Sequence, residues 1–156
     1  MVSERNCMHT FDPVAELEKL NIPVQYLPLQ DTLAAWDPER CRVYCGLGLH
    51  PIQKRCALTH ELAHITLEHR RCAYGDDSVV TIASIAQERE AEMWAARKLI
   101  SVVQFAAAQE SGLQPSVIAR ELGVTDRVYR ARFLAERLDE TRWLGTELDD
   151  SLGLPL

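Results

Sequence analysis

His60, Glu61 and His64, in the segment "CALTHELAHITLEHR" (residues 56–70), have types and spacing that can do chemistry. Four residues on an α-helix turn through about 400°. The two histidines therefore share one face, about one turn apart. Imidazoles so placed can chelate one zinc ion. Glu61 lies beside that face, where a carboxylate can take a proton from water on the metal. Zinc lowers the pKa of that water to about 7, so hydroxide is available at neutral pH.

A catalytic zinc site needs a third protein ligand and one open position. The candidates lie in "SIAQEREAEMWAARKLI" (residues 84–100). Glu88 and Glu90 are about 200° apart on a helix, so only one can face the metal. Glu88 belongs to a stripe of Ile85, Ala91, Glu92, Ala95 and Leu99, whose alanines let another helix approach closely. Glu90 belongs to a more solvated stripe with Gln87, Met93 and Arg97. A carboxylate on an apolar face needs a partner, and zinc provides one. Glu88 is therefore the expected ligand, with Glu92, one turn on, as acceptor for a histidine N–H.

The elements that must position these residues follow from local pattern. "DPVAELEKLN" reads as a short helix with Asp12 as N-cap and Pro13 in the first turn. "IPVQYLPL" reads as extended and interrupted by Pro28, and so as an edge strand. "TLAAWDPERCRVYCG" reads as a hairpin turning at "DPER". A helix is expected from about Gln53 to His69 and a long one from about Val79 to Gln109. Two shorter helices, "PSVIAREL" and "DRVYRARFLAERL", flank "GVT". The order predicts an α+β fold: a small antiparallel sheet packed on a helical zinc-binding core, with a C-terminal helical unit.

The 156 residues suit one compact domain, and 47% hydrophobic with 26% charged residues is ordinary for a globular chain. A net charge of −6 argues against long-range attraction to nucleic acid or anionic membranes. No apolar run is long enough to span a bilayer, and the opening "MVSERNCMHTFDP" has no signal-peptide core. Cys7, Cys41, Cys45, Cys56 and Cys72 are odd in number and form no CxxC, which fits reduced thiols in a cytoplasm. Cys41 and Cys45 read as buried thiols of the hairpin. Gly46 to Gly48 lacks the Lys-Ser/Thr of a phosphate loop.

HExxH followed by E-x-x-A-[D/N/E]-x-x-[F/W]-A resembles the gluzincin arrangement. More narrowly, "RCALTHELAHITLEH" and "EREAEMWAARKLI" resemble the two hallmark segments of the ImmA/IrrE metallopeptidases, across roughly residues 20 to 135. The resemblance implies His60, His64 and Glu88 as zinc ligands and Glu61 as catalytic acid/base. It also implies a substrate that is a helix-turn-helix repressor, cleaved to derepress phage-, mobile-element- or stress-related genes. The chain departs from the family at Glu92, where Asp or Asn is common, at Trp94, usually Phe, and at "LISV", which lacks a Pro.

On this reading residues 1–143 are one metallopeptidase domain with a helix-turn-helix-like unit at about 114–138, and residues 144–156 are an acidic, flexible tail. Tyr74 is a candidate oxyanion stabiliser, against the plainer reading of an exposed loop aromatic. His69 lies about 140° around the helix from His64 and reads as a C-terminal histidine suited, with Arg70 and Arg71, to the helix dipole. Arg127, Arg130 and Arg132 could contact phosphates. Glu121, Asp126, Glu136, Asp139 and Glu140 crowd the same region, so a structural or partner-docking unit is expected there rather than DNA binding. The alternative function is a transcriptional regulator or interaction module with a zinc site and little proteolysis.

Overall fold

The computed structural model describes residues 10–69 and 82–151, in which a three-stranded sheet packs against one helix of a largely helical fold. Helix α1 (Pro13–Lys19) starts at Asp12, whose carboxylate accepts from the Val14 and Ala15 amides at 3.0 and 3.4 Å. It ends where Asn21 takes φ 57. There the Ile22 amide donates to Leu17 C=O at 3.0 Å and the Asn21 amide to Glu18 C=O at 2.9 Å, closing a Schellman turn.

Strands β1 (Val24–Leu27), β2 (Ala34–Asp37) and β3 (Arg42–Gly46) follow. The sheet is mixed, not antiparallel throughout as expected. Its order is β1-β3-β2, with β1 parallel and β2 antiparallel to β3. The cause is the 28–33 link, which passes over the exit of β3. β2 then starts opposite Cys45, and the hairpin folds β3 back into the middle. Both edge strands hold that exit: the Gly46 amide donates to Leu33 C=O at 2.8 Å and the Leu47 amide to Leu27 C=O at 3.2 Å. In the hairpin turn, Asp37 accepts from the Glu39 and Arg40 amides at 3.1 and 3.2 Å. Cys41 sits there at φ 47 and is exposed, whereas Cys45 is buried.

Helix α2 (Pro51–Thr66) is capped by His50, whose Nδ1 accepts from the Ile52 amide at 3.3 Å, and by Gln53, which accepts from the His50 amide at 3.3 Å. Helix α3 (Ile82–Leu99) and helix α4 (Val102–Glu110) replace the single long helix expected. Ser101 interrupts it: its hydroxyl accepts from the Gln104 amide at 3.2 Å, and Gln104 accepts from the Ser101 amide at 3.0 Å. This is an S-x-x-Q capping box. Helix α5 (Pro115–Leu122) ends at Gly123, φ 66, which turns the chain into α6 (Asp126–Ser151). The α6 backbone continues past Leu144, where the sequence reading begins a tail.

The core has two parts, and α2 belongs to both. Leu58 and Leu62 pack with Leu17, Val43 and Cys45 on the sheet side. Cys56 packs with Leu99, Ile100, Phe105, Ile118 and Tyr129 on the helical side. α2 and α3 pack against each other, and Ala63 of α2 and Ala91 and Ala95 of α3 are small and buried. Enlarging one should push the helices apart. Ala91→Leu is expected to destabilise the chain by about 1–3 kcal/mol, measured by urea denaturation, and to lower the metal bound per chain.

Candidate metal centre

α2 supplies His60 and His64, and α3 supplies Glu88. The two Nε2 atoms lie 3.0 Å apart, with the rings nearly perpendicular at 79°. Glu88 Oε2 is 3.1 Å from His60 Nε2, and its Oε1 is 3.2 Å from His64 Nε2. Bonds of about 2.0–2.1 Å to a tetrahedral zinc imply ligand atoms about 3.3 Å apart. The observed triangle is close to that size, and its two nitrogens and one carboxylate are a donor set zinc accepts. The residues therefore fit a metal ion. The Glu88 side chain is 56% exposed, against 23% for His60 and 16% for His64, so the triangle opens to solvent on the Glu88 side.

The electrostatics are those of a tightly coupled set. Hydrogen bonds from His60 and His64 hold the Glu88 carboxyl far below the usual carboxylate range. Burial works against a charge on His64, but bonding to Glu88 leaves its pKa raised. Glu61 lies half-buried beside the triangle. Burial pushes its carboxyl up, while His60, the Trp36 amide and His64 pull the other way. That amide, on β2, donates to Glu61 Oε2 at 2.7 Å and so fixes the carboxylate on the sheet edge.

Glu92 does not join this cluster. Its carboxylate pairs with Arg127, because α6 packs along α3 and brings that guanidinium over it. The residue facing His64 is instead His69, Nδ1 to Nδ1 at 3.0 Å, with Glu90 Oε2 3.2 Å from the other nitrogen of His69. Sequence reasoning missed this pair because it continued α2 to His69. The helix ends at Thr66, so angles counted along it do not apply. It also missed the Trp36 amide, for which only the pairing of β2 could have been a signal. Tyr74, Arg70 and Arg71 lie outside the described residues.

The sequence profile of a peptidase family described as the IrrE N-terminal-like domain matches residues 17–134. Comparison with curated proteins gives no match. Among solved structures, the chain is similar to a Mycobacterium tuberculosis transcriptional regulator at a TM-score of 0.59 and 20% identity. The match covers 76% of this chain but only 39% of the regulator, and at that identity it shows the fold alone.

Removing the carboxylate from the triangle should remove the metal. Glu88→Ala is expected to lose bound zinc on dialysis, and Glu61→Gln to keep it, as read by elemental analysis of zinc per chain. Retention of zinc by Glu88→Ala would exclude Glu88 as a ligand.

Proposed function

Because the chain belongs to the peptidase family of the IrrE N-terminal-like domain, we propose that it is a zinc-dependent endopeptidase acting on a helix-turn-helix repressor. Family membership implies a peptidase and a metal. The observation that carries the reading further is Glu61, half-buried and fixed beside a donor triangle of zinc-like dimensions. A purely structural zinc site would fill its fourth position and would have no use for such a carboxylate.

When bound, zinc would polarise the scissile carbonyl and acidify a water molecule. His60, His64 and Glu88 would hold it. Glu61 does the proton work. Its raised pKa suits it to take a proton from the attacking water and pass it to the leaving amine. The Trp36 amide occupies Oε2, so Oε1 is the oxygen for that transfer.

The C-terminal helices support recognition of a folded protein. Ile118 is committed to the core, but Phe133 and Leu134 of α6 are 45% and 42% exposed. A cleft of about 480 Å³ lies between α3 and α6, lined by Arg89, Glu92, Met93, Arg127, Arg130 and Leu134. Glu92, on its wall, lies one helical turn from Glu88. The regulator reading finds less support, because Arg132 is buried against Ile100 C=O and Glu136, and Arg127 is engaged by Glu92. No helix of the described residues is long and apolar enough to cross a membrane. The cytoplasm is proposed as the location from the cysteine pattern.

Co-expression with the repressors encoded nearby tests the function. A discrete repressor fragment is expected, absent with chelator. Glu61→Gln should slow cleavage by about 10²–10⁴-fold with zinc retained. Replacing Arg127 and Arg130 together should impair repressor cleavage without changing zinc content. Intact repressor under inducing stress, with zinc fully bound, would move the regulator reading ahead.

A further inference from the structure

We propose that His69 and Glu90 form a positioning chain that sets the tautomer and ring angle of His64. This rests on reading the triangle as a metal centre. It begins with the way α2 ends. Leu67 caps the helix, and Glu68 takes φ 53, a left-handed conformation, although it is not a glycine. The Glu68 amide then donates to Ile65 C=O at 3.2 Å and the His69 amide to His64 C=O at 3.0 Å. These two bonds define a Schellman turn, which sets the second residue past the cap against the third from the helix end. That pair is usually apolar. Here it is His69 and His64, with ring centroids 5.1 Å apart at 68°.

The proton positions follow from counting. A neutral imidazole carries one N–H and one lone pair. His64, with Nε2 given to the metal, keeps its proton on Nδ1. That N–H points at His69 Nδ1, 3.0 Å away, which must then be the acceptor. The proton of His69 is left on Nε2, 3.2 Å from Glu90 Oε2, and is donated there. Each group has one role consistent with its neighbours. Metal-ligating histidines generally donate their second N–H to a carboxylate, carbonyl or water. In this chain an imidazole with only 6% of its side chain exposed takes that place, backed by a carboxylate. α3 thus serves the centre twice, through Glu88 directly and through Glu90 by way of His69.

Zinc affinity of the full chain, measured by competition with a chromophoric chelator, tests the proposal. His69→Phe keeps a ring but no acceptor and should weaken binding about 10- to 100-fold. Glu90→Ala, at an exposed position, should weaken it less. In the His69→Phe background, Glu90→Ala should add nothing, because Glu90 acts only through His69. Nitrogen-15 spectra of the zinc-loaded chain should show His64 protonated at Nδ1 and His69 at Nε2. Equal losses from Glu90→Ala with and without His69, wild-type affinity in His69→Phe, or a His69 proton on Nδ1 would each overturn the chain. Wild-type protein that takes up no zinc would overturn the metal reading itself, a result distinct from these.

Discussion

The close approach of two helices is the constraint on which the centre depends. Helical periodicity alone puts His60 and His64 on one face, but a third donor must come from another element. Glu88 reaches them only because α3 lies near enough for its carboxylate to span both Nε2 atoms at 3.1 and 3.2 Å. Buried alanines at 63, 91 and 95 permit that distance. Alanines bury little apolar area, so the joint adds little hydrophobic stabilisation of its own. The stabilisation comes from either side of α2, through Leu58 and Leu62 on the sheet and Cys56 among the C-terminal helices. The centre is thus held in a seam between two small cores.

Basic side chains make further ties around that seam. Arg55 of α2 donates to Phe11 C=O at 3.2 Å and to Gly123 C=O at 3.1 Å, joining the chain's first described segment to the α5–α6 turn. Arg132 of α6 donates to Ile100 C=O at 3.1 Å, past the end of α3, and lies over the Phe105 ring. Its burial is tolerable because Glu136 pairs with it at 2.7 Å. Arginines that look available in a linear reading are therefore partly spent inside the fold.

The parts of the site that follow one period were legible in the sequence. That Glu88 rather than Glu90 would converge with His60 and His64 needed only the angular spacing and the alanine stripe. The partner of Glu92 was not legible, since it depends on where α6 crosses α3. The role of His69 was hidden by a helix end without its usual glycine: "TLEHR" carries Glu68 where a left-handed residue is required. The break at Ser101 did have a local signal, the S-x-x-Q box, but the apolar pattern runs through it. Strand order had no local signal. Each strand was recognisable, yet β3 reaches the middle only through the path of the 28–33 link.

The bonds along β2 have a consequence for the molecule among others of its kind. An edge strand with free amides and carbonyls is a template on which another chain can add. On β2 the Trp36 amide is taken by Glu61 and the Ala34 carbonyl by the Thr32 hydroxyl, at 2.8 Å. Side chains thus stand where a foreign strand would bond. The carboxylate proposed to do the proton work thus also occupies an amide of the sheet's open edge, so one residue serves both the site and the strand.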